Sequence, residues 1–413
     1  MDHWTGLEAE LLVDVIDAEQ RGPHLKERAM TPVRPWWACG VFLAALLTCS
    51  SCNTGARDTG ILTSGPGSAA PPDNQDPAND PVVRDGGPDL SAFRARVRAA
   101  LAQGLPEEVS EFTVNQDGMS RPFLVYTPAG FQRGNSAVLL LHGGGGSMRT
   151  NFIYPATARW RELADEHGFL LLSPNGVNAR SGDPTGDRQT WNGLRPGLDG
   201  RRSQADDVSY LEDVVHWAVT QREVDRTRIY TVGASNGGEM VHRLLIERPG
   251  MFAAGVSHIS NLPANAVPNA DPPTPIMILN GTEDPLMPYG GGAVRNVAEP
   301  VRSVEETLSY WITMHGLDEE HARVTRLPDS DPNDGCRITQ VVYPAQPDTP
   351  APLVFYRVEG GGHSVPLPTE TERPEAMQRL LGNACRDADG AALAWEFMQQ
   401  HGEGFDRTPT PEL

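Results

Sequence analysis

The chain has 413 residues and carries 34 Lys and Arg against 54 Asp and Glu, a formal charge of -20. That balance argues against a nucleic-acid partner, because gripping a phosphate backbone takes clustered cations that displace counterions. With the leader-like and polar stretches set aside, roughly 300 residues remain, enough for one large core.

Residues 1–52 read as an N-terminal extension that ends in a signal-like or lipoprotein-like segment. The apolar run from Trp36 to Leu47 follows Arg28 and Arg34 and ends in small residues, the order of a secretory signal, and it is too short for a membrane span. Met30 is an alternative start within it. The expected location is therefore extracellular, or at the cell envelope through a lipid on Cys49 or Cys52. Residues 53–90 are rich in Gly, Pro, Ser, Asp and Asn and cannot bury enough apolar surface to offset their ordering entropy, so they read as a disordered linker. Residues 91–402 read as the folded domain and 403–413 as a disordered tail. Of five cysteines only Cys336 and Cys385 fall in that domain. Export would allow them to form a disulfide, and no cysteine or histidine spacing suits a metal.

Within the domain, Glu111 to Val114 and Pro122 to Tyr126 flank Asp117-Gly118, a hairpin signal. Ala137 to Leu141, Phe169 to Leu172, Arg228 to Val232, Ala253 to Val256, Pro275 to Leu279 and Leu353 to Val358 are short apolar runs of the kind that form strands covered on both faces. Asp207 is placed to cap a helix bearing Val208, Leu211, Val215 and Ala218. Val301 to Met314 gives another, with Val304, Leu308 and Trp311 on one side. Strands alternating with helices predict an α/β fold with a mostly parallel central sheet, flanking helices and an N-terminal antiparallel hairpin.

Gly233-Ala234-Ser235-Asn236-Gly237 is the one G-x-S-x-G in the chain, and it sits between a strand and a helix carrying Met240, Val241, Leu244 and Leu245. A turn there projects the Ser235 hydroxyl above the sheet; the competing reading is a glycine-rich turn with a capping serine. A serine hydroxyl needs a base and a group that orients the base. His363 follows Gly360-Gly361-Gly362 after a strand, and Asp284, with Glu283 as the competing carboxylate, follows the strand Pro275 to Leu279. The order Ser, Asp, His is the one used by α/β-hydrolases. His142-Gly143-Gly144-Gly145-Gly146, directly after a strand, offers unobstructed amides for an oxyanion, Gly144 first among them, with the Asn236 amide as the second donor. The run lacks the Lys-Ser/Thr of a phosphate loop and the spacing of a dinucleotide fingerprint. Trp191, in a polar stretch, is placed either to line a substrate cleft or to anchor its loop.

Leu139-Leu140-Leu141-His142-Gly143-Gly144, Leu163-Ala164-Asp165 with Gly168-Phe169, Trp191-Asn192, Asp206-Asp207-Val208, Gly233 to Gly238 and Gly361-Gly362-His363 together resemble the polyhydroxybutyrate depolymerase family. Its relatives include secreted feruloyl and acetylxylan esterases. The resemblance covers about residues 110 to 400 and implies an α/β-hydrolase fold, a triad of Ser235, Asp284 and His363, and no metal or organic cofactor. It selects Asp284 over Glu283. It also implies an ester substrate, including polymeric polyesters and plant polysaccharide esters. Family members usually carry a tryptophan shortly after the histidine, whereas this chain reads Ser364-Val365-Pro366-Leu367, so an aromatic wall is missing there. A peptidase of the same fold and a surface-tethered binding protein without turnover are the alternative readings.

Overall fold

The computed structural model describes residues 104–402, except 117, 195–202, 268–272, 295–299, 347–350, 371, 372 and 374. The readings of residues 1–90 and 403–413, with Cys49 and Cys52 among them, lie outside the described residues. No helix among the described residues is long and apolar enough to cross a membrane.

Among the described residues ten strands make one sheet: β1 (Val109–Gln116), β2 (Met119–Tyr126), β3 (Ala137–Leu141), β4 (Leu170–Pro174), β5 (Ile229–Ala234), β6 (Ala254–His258), β7 (Ile276–Gly281), β8 (Arg323–Arg326), β9 (Arg337–Tyr343) and β10 (Leu353–Glu359). They lie in the order β1-β2-β4-β3-β5-β6-β7-β10-β9-β8. The six central strands, β4 through β10, run parallel, the hairpin β1-β2 adds antiparallel at one edge, and β9 and β8 add antiparallel at the other. The helices are α1 (Pro155–His167), α2 (Asp207–Arg222), α3 (Asn236–Glu247), α4 (Val304–His315), α5 (Glu375–Leu381) and α6 (Gly390–Gln399). The sheet meets the α/β expectation, hairpin included.

The unbroken apolar runs follow from having helices on both faces. In β3, Ala137, Leu139 and Leu141 pack with Val208 and Leu211 of α2, Met240 and Leu244 of α3 and Trp311 of α4. The alternate residues Val138 and Leu140 pack with Trp160 and Leu163 of α1 and Trp395 and Met398 of α6. Burying each such leucine is worth roughly 1.5–3 kcal/mol, so a strand with no exposed side chain is favoured only where two layers cover it.

The capping residue of α2 differs from the expectation. Asp206 caps α2, its side chain accepting from the Ser209 amide. Asp207 is instead fully buried and takes a 2.6 Å ion pair from Arg121 of β2, whose guanidinium stacks 3.7 Å over the Tyr210 ring. A charge this deep needs a paired counter-charge. Strands β8 and β9 did not stand out in the sequence, because β8 is exposed along its length and β9 only partly covered.

The connection order creates the site. From β3 the chain passes through α1 on one face to β4, and from β4 through α2 on the opposite face to β5 on the other side of β3. The loops leaving β3 and β5 therefore part to opposite faces, which opens a crevice at their carboxyl ends.

Candidate active site

Ser235 occupies the turn from β5 into α3 with φ 54° and ψ -121°, a conformation that L-residues adopt only under constraint. Its surroundings impose the constraint. A Cβ at Gly233 would overlap the Gly237 carbonyl, and one at Gly237 would overlap the carbonyls of Leu141 and His142, so the turn lies pressed against the end of β3. The Ser235 amide donates to His258 O (2.9 Å) and its carbonyl accepts from the Glu239 amide (3.0 Å). The hydroxyl makes no capping hydrogen bond to the helix it opens, unlike the capping-serine alternative.

His363 and Asp284 meet at the ends of β10 and β7. The imidazole Nδ1 donates to Asp284 Oδ2 at 2.7 Å, with both side chains buried. Asp284 Oδ1 accepts from the amides of Leu286 (2.8 Å) and Met287 (2.7 Å), so each carboxylate oxygen is engaged and the acid cannot swing. Because an ionised carboxylate only accepts, Nδ1 carries the proton and Nε2 presents a lone pair. That Nε2 is buried and has no partner among the described residues, so it makes no hydrogen bond to Ser235. Such bonds are often open in a free enzyme and close on substrate. Glu283 is exposed, its amide tied to Gly361 O (2.9 Å).

The histidine loop is held from behind. The His363 amide donates to Leu381 O (2.6 Å) and that of Gly362 to Asn383 O (2.8 Å). Cys385, two residues further, is disulfide-bonded to Cys336 with Cα atoms 5.7 Å apart. The carboxylates of Asp334 and Asp387 surround this bond, and Asp334 also accepts from the Cys336 and Arg386 amides.

At the end of β3 the glycine amides divide by partner. Those of Gly145 and Gly146 donate to Gln189 O (2.8 Å) and Gly143 O (3.1 Å), whereas that of Gly144 has no acceptor among the described residues. Asn236 opens α3, so its amide has no intrahelical acceptor either. His142 braces the loop. Its Nε2 accepts from the Gly176 amide (3.0 Å), which forces the proton onto Nδ1, and Nδ1 donates to Gly143 O (2.8 Å). Burial pushes this imidazole down to about 4, so it stays neutral.

A cavity of about 30 Å³ lies beside these groups, bordered by Gly144, Ala234, Tyr154, Trp160 and Val365. Ala234 immediately precedes Ser235 in the chain, and Val365 lies two positions after His363. Trp191 does not line a cleft. It is completely buried in the core, with its indole Nε1 donating to His142 O at 2.9 Å, so the loop-anchor reading applies.

Residues 200–263, which carry the serine turn, match the prolyl oligopeptidase family. The chain is 26% identical over 299 residues to the putative esterase NocK of Nocardia uniformis subsp. tsuyamanensis, an alignment covering 68% of this chain and 80% of that protein. The fold of this chain is that of the α/β-hydrolases. The chain is also 26% identical over 163 residues to feruloyl esterase B of Thermothelomyces thermophilus, covering 40% of this chain and 51% of that one. Among solved structures, an acetyl xylan esterase from Aspergillus awamori aligns with a TM-score of 0.42 at 14% identity, over 62% of this chain and 95% of its own. Both of these sequence relatives are named as esterases, and neither is a polyhydroxybutyrate depolymerase.

Proposed function

We propose that this α/β-hydrolase is an exported serine carboxylesterase in which Ser235 is the nucleophile, His363 the base and Asp284 the group that orients it. The observation that carries the reading is the buried Asp284–His363 pair with an unpartnered Nε2, at the same sheet edge as a serine held in a strained turn. Ser235 Oγ adds to the ester carbonyl carbon while His363 Nε2 takes its proton, and the amides of Gly144 and Asn236 hold the oxyanion. The carbon–oxygen bond to the alcohol then breaks, with the proton passing from His363 to the leaving oxygen. Water attacks the acyl-enzyme with the same base and releases the acid. Asp284 stays ionised and steadies the imidazolium. The steps draw on no metal or organic cofactor.

The cavity bounds the acyl side. One water takes about 10–15 Å³ by the same measure, so 30 Å³ suits an acetyl-sized group rather than a feruloyl ring. The segment Ser364-Val365-Pro366-Leu367 carries no tryptophan, whereas members of the depolymerase family usually have one shortly after the histidine. Nitrophenyl acetate hydrolysed with a kcat/KM at least tenfold above the octanoate, and lost in Ser235→Ala, supports the assignment; equal rates in that variant refute it. A second reading, a peptidase, is favoured by the prolyl oligopeptidase match at residues 200–263. Turnover of a peptide anilide at rates near those of the ester would select it. A panel of acetylated xylan, feruloyl sugars and hydroxybutyrate oligomers separates the polymer substrates.

A further inference from the structure

The two amides proposed for the oxyanion come from segments 92 positions apart in the chain, Gly144 after β3 and Asn236 at the start of α3. Stabilising a developing negative charge requires their separation to be set before substrate arrives. The stretch 189–192 spans the two. At one end the Gln189 backbone pairs with Gly145 and Gly146, each bond 2.8 Å. At the other end the Asn192 amide donates to Asp207 Oδ2 (2.7 Å) and its carbonyl accepts from Arg243 (2.7 Å).

Trp191, between them, touches both halves. Its amide donates to Asn236 Oδ1 (2.7 Å) and its carbonyl accepts from Asn236 Nδ2 (3.2 Å), so the asparagine side chain is turned inward and only its backbone amide is left for a ligand. Its indole Nε1 donates to His142 O (2.9 Å), and the ring packs 4.8 Å from the His142 imidazole, which in turn holds Gly143 O. One side chain therefore fixes the carbonyl at the head of the glycine loop while its own main chain fixes the serine helix.

We infer that Trp191 is a positioning residue that sets the spacing of the two oxyanion amides, acting through His142 and Asn236 without touching substrate. This rests on the ester-hydrolase reading above. The role separates from bulk stability because another buried indole makes a bond of the same kind elsewhere: Trp311 Nε1 of α4 donates to His242 Nδ1 of α3 (3.1 Å).

The test compares Trp191→Phe with Trp311→Phe in purified full-length protein, using nitrophenyl acetate kinetics and thermal melting. Both variants lose one buried indole bond and are expected to melt below wild type. Only Trp191→Phe is expected to lose kcat, by about tenfold, with KM within twofold, because sub-ångström errors in donor placement act on the transition state rather than on ground-state binding. Should Trp191→Phe fail to fold, benzothienylalanine at position 191 keeps the ring shape, replaces the N–H by sulfur and carries the same expectation. A wild-type kcat in a folded position-191 variant overturns the inference, as does an equal kcat loss in Trp311→Phe. A wild type inert toward both nitrophenyl acetate and a fluorophosphonate overturns the esterase reading itself, and this inference with it.

Discussion

Replacing Cys336 and Cys385 together by serine removes a crosslink between residues 49 positions apart. Closing a loop of that length lowers the entropy of the unfolded chain enough to stabilise the fold by about 4 kcal/mol. In a domain of this size the melting temperature should fall by on the order of 10 °C. The effect should also reach the site. The end of α5 and the segment after it give Leu381 O and Asn383 O to the amides of His363 and Gly362, and Asn383 Nδ2 donates back to Asp334 O (2.6 Å). Loss of the crosslink loosens the backing of the histidine loop first, so activity should fade at temperatures below the global melt. The assay is guanidinium denaturation alongside ester turnover against temperature, after peptide mapping has verified the 336–385 crosslink in the oxidised wild type. A double variant with the wild-type midpoint, or one whose activity and fold are lost together, would refute the reasoning.

Two further outcomes follow from buried charge. Arg121→Met leaves Asp207 in the core without its 2.6 Å partner, and an unpaired buried charge destabilises by roughly 3–5 kcal/mol; a denaturation midpoint within error of wild type would contradict this. Burial also pushes five imidazoles below the usual 6.5, to about 4 for His142, His315 and His401 and to about 3 for His242 and His258. The unfolded chain takes up these protons as pH falls through 6.5 while the folded chain does not. Stability is therefore full above pH 6.5 and declines below it towards pH 3 to 4, each histidine adding a slope of about 1.4 kcal/mol per pH unit. Guanidinium midpoints at pH 8, 6 and 5 check the trend, and His258→Gln should make it shallower.

What could be read from the sequence was what local pattern dictates. Ala137 to Leu141 and Pro275 to Leu279 announce themselves because a strand covered on both faces cannot hide its composition, and the turn at Ser235 because glycines flank it between a strand and a helix. Strand β8, Arg-Val-Thr-Arg, is exposed and polar at a sheet edge, so nothing in its composition separates it from a loop. Helices α1 and α6 carried a usable signal: Trp160, Leu163 and Ala164, and Ala391, Ala394, Trp395 and Met398, recur at helical spacing and are buried. Choosing Asp206 over Asp207 as the cap depended on Arg121, 86 residues away in sequence. The burial of Trp191 depended on His142 and Asn236, 49 and 45 positions distant. Long-range partners decide the fate of single polar and aromatic residues, and local spacing does not encode them.

The central claim is that Ser235 is an activated nucleophile driven by His363. The most direct measurement is mass spectrometry of the protein after brief exposure to a fluorophosphonate. The account predicts a single adduct on the peptide containing Ser235, absent from His363→Ala under the same conditions. Labelling of another residue, or equally fast labelling of Ser235 in His363→Ala, would contradict it.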